Sequence, residues 1–343
     1  MTDSEILGVG KLPLEFLQQI LARYGGQDNR VVVGPRVGED AAVLDMGDRY
    51  LVVKSDPITF ASDEIGRYVV HVNANDLATM GAQPRWMLLT LLLPEGETNR
   101  ALVEAIMAQV AGACQPLGIA LCGGHTEITY GLDRPIAVGS MLGEVEKDAL
   151  VQTAGALVGD DIVLTKGIAI EGTAVLAREA ADRIAAQVGT DVLDRARRLL
   201  SEPGISVVRD AQIVQRVGRP HAMHDPTEGG LATGLWELAL ASGKGIVVDM
   251  AHVPLFPETQ VLCCALGLDA LGLIASGALL IAAAPEESGR MVHSLQEAGI
   301  RASVIGRVVD GPAEVRVTSP SGPQPLRMFE RDELARVFSG SVS

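Results

Sequence analysis

The segment HVNANDLATMGA, from His71 to Ala82, contributes most to the predicted fold of this chain. Its spacing predicts a helix from Glu64 to Met80. On that helix Asn73, Asp76 and Met80 stand three and four residues apart, hence on one face. The other helix residues are mostly Val, Ala, Leu and Met, so a buried polar pair there needs polar partners. The pattern favours a functional role for Asp76, whereas functional and structural interpretations of Asn73 both stay open.

Two earlier segments place a carboxylate at the edge of a hydrophobic run: VGEDAAVL (Val37 to Leu44) with Asp40 and KSDPIT (Lys54 to Thr59) with Asp56. Alone, each would be an ordinary turn or strand-end residue. Together with Asp76 they indicate oxygen ligands that converge on a hard cation. Magnesium prefers such ligands and usually carries phosphates with it. The sequence therefore predicts Asp40, Asp56 and Asp76 as metal ligands.

A fourth segment, CGGHTEI (Cys122 to Ile128), is predicted to follow a short strand that ends at a glycine break. Glycine lets a backbone approach a ligand closely. His125, Thr126 and Glu127 offer a base, a hydroxyl and a carboxylate together. The alternative is a glycine turn with exposed polar residues, and the segment alone does not decide between the two.

In the second half, HDPTEGG (His224 to Gly230) is predicted to be a tight turn that starts a helix. Backbone amides at a helix N-terminus favour anions, and Asp225 or Thr227 would also suit an N-cap. Both interpretations can hold at once. Near the N-terminus, Lys11 of GVGK (Gly8 to Lys11) is a candidate phosphate contact, although the segment lacks Walker spacing and a preceding strand.

Composition limits the possible classes of protein. At 343 residues the chain is long for one core, which favours two domains, with the boundary where the pattern loosens between Glu146 and Gly159. The net charge of -15 argues against nucleic acid as a partner, but not against a nucleotide whose charge bound cations offset. No signal peptide or membrane-spanning run is evident, so we expect a cytoplasmic protein with no membrane contact.

These segments, in this order, resemble the superfamily of aminoimidazole ribonucleotide (AIR) synthase, HypE, selenophosphate synthetase and thiamine-monophosphate kinase. GEDAAVL matches the family's GDDAAVL-type turn, and KSD its strand-end Asp. NANDLATMGAQP matches the NDxxxMGAxP helix, GGHTE the GGxT element, and HDPTEGGL the HDxTxGGL turn. The stretch LGLDALGLIASGALLIAA looks most like HypE. The resemblance covers nearly the whole chain.

The resemblance implies a two-domain PurM-like fold of the α/β (α+β) class. Residues 1–150 would form an ATP-binding domain whose mixed sheet makes a homodimer, and residues 151–343 a C-terminal α/β sandwich. ATP and Mg²⁺ would lie in the cleft between them. The residues implied for ATP and its phosphates are Asp40, Asp56, Asn73, Asp76, Gly124, Thr126 and Lys11, and those implied for catalysis are Asp225, His125 and Glu127.

Departures from the family keep the reaction open. The chain ends RVFSGSVS without the terminal Cys of HypE, and no Cys precedes Cys114, unlike selenophosphate synthetase. We predict an ATP-dependent enzyme that transfers the γ-phosphoryl group to an oxygen of a small acceptor, as HypE-like or AIR-synthase-like proteins do. The alternatives are a small-molecule kinase, and an ATP-binding maturation or scaffold protein that docks a partner protein and turns over poorly.

Overall fold

The structure is a computed structural model that describes residues 7, 12–26, 28–35, 39–59, 63–319, 321–329 and 331–338. The described strands form two sheets, one from each half of the chain. The first sheet contains β1 (Val31–Val33), β2 (Ala42–Asp45), β3 (Tyr50–Ile58), β4 (Gln83–Pro94), β5 (Ala120–Thr129) and β6 (Ile136–Val145). The second contains β7 (Asp161–Thr165), β8 (Ala222–His224), β9 (Gly245–Val248), β10 (Leu280–Ala283), β11 (Ala302–Val309), β12 (Val315–Val317) and β13 (Gln324–Pro325).

The first sheet has the strand order β1-β2-β3-β6-β4-β5, and only its β4–β5 pair is parallel. The β2–β3 hairpin arises as its sequence predicts, from two β-branched runs around a turn. Register places Asp56, Gly139, Leu89 and Gly124 in one row across four neighbouring strands. Because neighbouring strands lie about 4.8 Å apart, Asp56 and Gly124 are about 14 Å apart along that row.

Helices cover these sheets and fill the space between them. They are α1 (Leu14–Tyr24), α2 (Ile65–Thr79), α3 (Arg100–Leu117), α4 (Ile170–Glu179), α5 (Ala181–Val188), α6 (Thr190–Arg198), α7 (Val208–Val217), α8 (Gly230–Ser242), α9 (Pro257–Leu266), α10 (Pro285–Glu297) and α11 (Glu333–Phe338). α2 and α3 pack together, and α2 lies against β3 and β6. The predicted two-domain mixed α/β fold is confirmed.

The second sheet has the order β13-β12-β9-β11-β7-β10-β8, antiparallel except for β9–β12. β7 and β10 are buried along their whole length, as expected of continuous apolar strands covered on both faces. β8 forms one end of the described sheet and leads directly into the HDPTEGG turn. The boundary predicted at residue 150 falls in the segment between the two sheets and stays a prediction.

Two local predictions were wrong. The glycine pair at Gly123 and Gly124 does not end a strand, because β5 continues through it. A side chain at Gly124 would meet the carbonyl oxygen of Leu89 on β4, and its φ of +140° suits glycine, so this residue permits close strand pairing. The charged, helix-favouring stretch from Ala177 to Leu200 likewise predicts one continuous helix, but the structure interrupts it, since α5 ends at Gly189 with φ +83°.

Helix α2 joins the two halves of the molecule. It packs on α7, and residues of both helices share one hydrophobic core. The buried Asn75 Nδ2 donates to the Ile205 carbonyl at 2.8 Å, while its Oδ1 accepts from the Val207 N–H at 2.8 Å. One amide side chain thus pairs two backbone groups that would otherwise be buried without partners.

We predict that Asn75→Ala lowers the free energy of unfolding by about 2–4 kcal/mol, because two buried backbone groups lose their partners. Urea unfolding followed by circular dichroism measures this loss. The control is Asn99→Ala, which removes the exposed cap of α3 and should cost only about 1 kcal/mol. A loss at Asn75 no larger than the loss at Asn99 would contradict the interpretation.

Candidate functional site

Three carboxylates from separate parts of the chain meet between the two sheets. One oxygen of each of Asp40, Asp76 and Asp225 lies within 4.8 Å of the others. Asp40 precedes β2, Asp76 is on α2, and Asp225 directly follows β8. Their exposed fractions are only 9%, 4% and 2%. We call these three residues the carboxylate cluster.

Asp225 is the least satisfied member of the carboxylate cluster. Both of its carboxylate oxygens are buried without a hydrogen-bond partner among the described residues. An unpaired buried carboxylate costs free energy, so its retention points to a missing partner, such as a cation.

Two positively charged groups partly neutralise the cluster. Lys54 Nζ lies 3.2 Å from Asp76 Oδ2 and 3.4 Å from Asp56 Oδ2. His224 Nδ1 lies 3.0 Å from Asp40 Oδ1, and its Nε2 lies 3.0 Å from Glu237 Oε2. His224 therefore connects the second sheet to the GEDAAVL segment of the first half.

The pKa values of the basic groups follow from these contacts. Burial alone would lower the pKa of His224, but the carboxylates of Asp40 and Glu237 raise it well above its ordinary value. Burial likewise opposes the charge of Lys54, yet Asp76, Asp56 and Asp40 raise the pKa of its ammonium. Both groups are therefore positively charged at neutral pH.

The three carboxylates of the cluster respond differently to these surroundings. Burial raises the pKa of Asp76 well above its ordinary value. Lys54 lowers this pKa, whereas the negative charges of Asp225, Asp56 and Asp40 raise it further. Burial and the Asp40 charge do the same to the pKa of Asp225. Burial would also raise the pKa of Asp40, but His224 and Lys54 hold it below its ordinary value. The cluster thus has more negative charge than Lys54 and His224 balance.

Asp56 and Asn73 lie beside the cluster and not within it. Asn73 Oδ1 accepts from the Asp56 N–H at 2.9 Å, and its Nδ2 donates to the carbonyls of Asp56 and Val69. A side chain at Gly139 would collide with the Asn73 amide, so the glycine provides the space for it. Asn73 therefore fixes the backbone of Asp56, whose side chain is 35% exposed and contacts Lys54. The metal role predicted for Asp56 stays a prediction.

The residues fit a hard divalent cation. The ligands are all carboxylate oxygens, which Mg²⁺ prefers over nitrogen or sulfur. The unpaired oxygens of Asp225 and the raised pKa values of Asp76 and Asp225 are both features that a bound cation would relieve. Asp40, Asp76 and Asp225 would hold the ion.

The GGHTE segment lies elsewhere in the same chain. It is part of β5, at the edge of the first sheet opposite to β1 and three strands from β3. His125 Nε2 and Glu127 Oε2 are exposed and 3.1 Å apart, so they pair with each other. Gly124, Thr126, His125 and Glu127 are not brought to the carboxylate cluster within one chain. Their predicted roles, like that of Lys11, which lies outside the described residues, stay predictions.

Sequence reasoning did not assign Lys54, His224 or Glu237 to the site. Lys54 carried a signal, because residues two apart on a strand share a face and Lys54 stands two before Asp56. His224 stood next to Asp225 in a recognised segment, but its partner Asp40 is 184 residues away. Glu237 lies in an apolar helix pattern with no local signal.

Comparison with known protein families follows the same division of the chain. Residues 38–145 match the AIR synthase related protein N-terminal domain, and residues 158–318 match the corresponding C-terminal domain. The chain belongs to the AIR synthase-related family. The two matches contain all three residues of the carboxylate cluster, one part in each domain.

Individual members of this family show what the chain resembles. The carbamoyl dehydratase HypE of Cupriavidus necator is 29% identical over 290 residues, which cover 80% of this chain and 78% of HypE. A selenide, water dikinase of Pelobacter propionicus is 27% identical, covering 81% of this chain and 83% of its own length. The hydrogenase maturation protein HypE solved in complex with ATP has a TM-score of 0.72 and 26% identity, covering 95% of this chain and 98% of that structure. None of the described helices is long and apolar enough to cross a membrane.

We predict that Asp225→Asn stabilises the metal-free protein at pH 8 by on the order of 1 kcal/mol, since each unit of pKa shift corresponds to about 1.4 kcal/mol. A carboxyl whose pKa is raised in the folded state destabilises that state as the pH rises above its unfolded-state pKa, and fully so above its folded-state pKa. The gain should therefore be present at pH 8 and shrink toward about pH 4, where an ordinary carboxyl is protonated. Urea unfolding in EDTA at both pH values measures it.

The matched control is Asp48→Asn, whose side chain is 74% exposed and should change the free energy of unfolding by less than about 0.5 kcal/mol. If Asp225→Asn were neutral or destabilising at pH 8, the charge imbalance derived for the cluster would be refuted.

Proposed function

We propose that this protein binds ATP with Mg²⁺ at the carboxylate cluster and transfers the γ-phosphoryl group to an oxygen of a small acceptor. The observation that carries the proposal is the convergence of three buried carboxylates, one with both oxygens unpaired, at the join of the two domains. The resemblance to HypE, whose structure was solved with ATP, supports a nucleotide as the ligand. Bound magnesium would neutralise phosphate charge and align the phosphates for in-line attack.

Different residues of the chain would have different roles in this reaction. Asp40, Asp76 and Asp225 hold the ion, and His224 keeps Asp40 ionised and in place. Asp56, fixed by Asn73, faces the solvent side of the cluster, where a triphosphate would enter. The phosphorylated acceptor would then be released, as by a kinase, or would lose phosphate in a second step, as in dehydration of an amide. One oxygen of Asp225 would hold the ion, and its second buried, unpaired oxygen would be available to accept the acceptor's proton, so Asp225 is the candidate general base within one chain.

A homodimer would give the GGHTE segment a place in the site. Apolar side chains are exposed on β4 and β5, where a monomeric protein would expose polar ones. Trp86 and Leu88 lie on the same face of this strand pair as His125 and Glu127, whereas Leu121 and Ile128 lie on the opposite face, with Tyr130 just beyond β5. The face of Trp86 and Leu88 is the one that we consider for contact with a second copy. β5 is also an edge strand, which favours pairing with another chain. We propose that a second copy covers this face and that Gly124, His125, Thr126 and Glu127 complete a nucleotide or acceptor site there.

We predict that Asp76→Asn weakens binding of ATP with Mg²⁺ by at least about 100-fold, since breaking a buried charged site costs about 3–5 kcal/mol. Isothermal titration calorimetry measures the affinity, and circular dichroism checks that the fold is intact. Asp160→Asn is the matched control, because Asp160 is also buried but pairs with His221, which precedes β8, whereas Asp225 of the cluster follows it. Unchanged affinity in Asp76→Asn would remove the role proposed for the cluster.

Turnover assays separate the proposed reaction from its alternatives. ADP release that requires an added metabolite supports phosphoryl transfer, and ³¹P NMR distinguishes a stable phosphorylated product from free phosphate. A kinase gives the former and an activating enzyme the latter. Tight ATP binding without turnover, together with co-purification of one protein, would instead indicate a maturation or scaffold protein.

We predict that Leu88→Arg makes the protein monomeric, because an Arg beside Trp86 on the exposed β4–β5 face would place unpaired charge in the interface. Sedimentation velocity measures the mass. Leu240→Arg, at an exposed apolar position of α8 in the second domain, is the matched control and should leave the dimer intact. A wild-type protein that sediments as a monomer at about 50 µM, well above the Kd of about 1 µM that corresponds to about −8 kcal/mol, would refute the proposed dimer.

A further inference from the structure

Lys54 occupies the position from which one cation can reach two carboxylates of the site. Its Nζ contacts Asp76 Oδ2 at 3.2 Å and Asp56 Oδ2 at 3.4 Å. Lys54 and Asp56 are two residues apart on β3, and alternate residues of a strand point to the same face. Asp76 comes from α2, which packs on that strand. The Lys-Ser-Asp sequence therefore places the ammonium between a buried carboxylate and a partly exposed one.

A divalent cation at the carboxylate cluster would compete with Lys54 for Asp76. Magnesium binds carboxylate oxygens at about 2.1 Å. Asp76 Oδ2 already has the Lys54 ammonium at 3.2 Å and no hydrogen-bond donor with good geometry. Two cations that share one carboxylate repel each other strongly in a site closed to solvent. This repulsion favours a shift of Lys54 away from Asp76 when the ion binds.

Asp56 is the carboxylate to which Lys54 can move. It already lies 3.4 Å from Nζ, and its side chain is 35% exposed compared with 6% for Asp76. The Asn73 amide accepts from the Asp56 N–H and donates to the Asp56 carbonyl. These two bonds fix the backbone that carries the Asp56 carboxylate. A shift of Lys54 toward Asp56 carries the ammonium from the buried cluster to its solvent side.

We propose that Lys54 is the counter-cation of the metal-free site and that it moves from Asp76 to Asp56 when a divalent cation binds. At Asp56 its ammonium group binds a phosphate oxygen of the nucleotide. This inference rests on the proposed function and assigns Lys54 a positioning and phosphate-binding role in it. The other positive group at the cluster, His224, is buried with Asp40 and Glu237 on its two ring nitrogens. Lys54 is 23% exposed and has three N–H donors, so it can reach an incoming phosphate.

The first test is Lys54→Met, which keeps the length of the side chain and removes its charge. Removing a competitor should raise the affinity for Mg²⁺ alone by about tenfold, within the usual range of coupling between two bound charges. The affinity for ADP at saturating Mg²⁺ should fall by about tenfold, because Lys54 then lies at Asp56 and its removal takes a cation from the phosphate. Both are measured by calorimetry at pH 8, with Mn²⁺ paramagnetic resonance as a second readout of metal binding.

Lys147→Met is the matched control, because Lys147 also pairs with an aspartate, Asp45 at 2.8 Å, in the same domain. Neither affinity should change in it. Equal or weaker Mg²⁺ binding by Lys54→Met refutes the competition, and unchanged ADP binding refutes the phosphate contact. If Lys54→Met does not fold, Lys54→Arg replaces it: its guanidinium holds carboxylates more firmly, so Mg²⁺ affinity should fall, and an equal or higher affinity refutes the competition.

A second test asks whether Asp56 receives Lys54 or is itself a metal ligand. If Asp56 receives Lys54, Asp56→Asn lowers Mg²⁺ affinity in the wild-type background and has no effect in the Lys54→Met background. If Asp56 binds the ion directly, the two losses are equal and the transfer is refuted.

The same measurements separate this inference from the proposed function. A wild-type protein that binds no Mg²⁺ and no ATP refutes both. A wild-type protein that binds both, with Mg²⁺ affinity unchanged by Lys54→Met, refutes only the role of Lys54.

Discussion

The structure depends on a buried imbalance of charge where its two domains meet. Asp40, Asp76 and Asp225 bring three carboxylates within one ion's reach, and Asp56 adds a fourth at the edge. Lys54 and His224 supply only part of the opposing charge. A fold that maximised stability would not keep such a group, because burying unpaired charge is costly. The arrangement is stable enough only because the helices and strands around it are fixed by independent contacts.

Those contacts are hydrogen bonds between side-chain amides and backbone groups, and they lie one helical turn or one strand from the cluster. Asn75 holds the segment around Ile205 and Val207 against α2, and Asn73 holds β3 against the same helix. Asp76 directly follows Asn75 on the same helix. Helix α2 thus binds backbone segments of both domains through neutral amide side chains. The same helix carries Asp76, whose pKa is raised well above its ordinary value. Placing the strained group on a rigid element is what gives a site precise geometry.

Much of this was predictable from local patterns, and the remainder was not. Helix α2, the β2–β3 hairpin and the strands of the second half follow from hydrophobic periodicity and turn residues. The acidic segments around Asp40 and Asp76 were recognisable because polar residues interrupted apolar runs. The contact of His224 with Asp40 spans 184 residues, so no local pattern contains it. Gly124 resembled a ligand-approach glycine, but its missing side chain faces Leu89, and sequence alone does not distinguish a ligand from a neighbouring strand.

The exposed face of β4 and β5 is a second feature that the sequence pattern did not predict fully. Its residues on β4 follow an apolar strand pattern, which predicts burial, yet the single chain leaves Trp86 and Leu88 at the surface. An apolar strand pattern indicates that a surface is buried, but it does not identify the element or chain that buries it. The carboxylate cluster is complete within one chain, whereas His125 and Glu127 stand on the uncovered face. The proposed metal binding would therefore need one chain only, whereas the proposed role of the GGHTE segment would need a partner that covers β5.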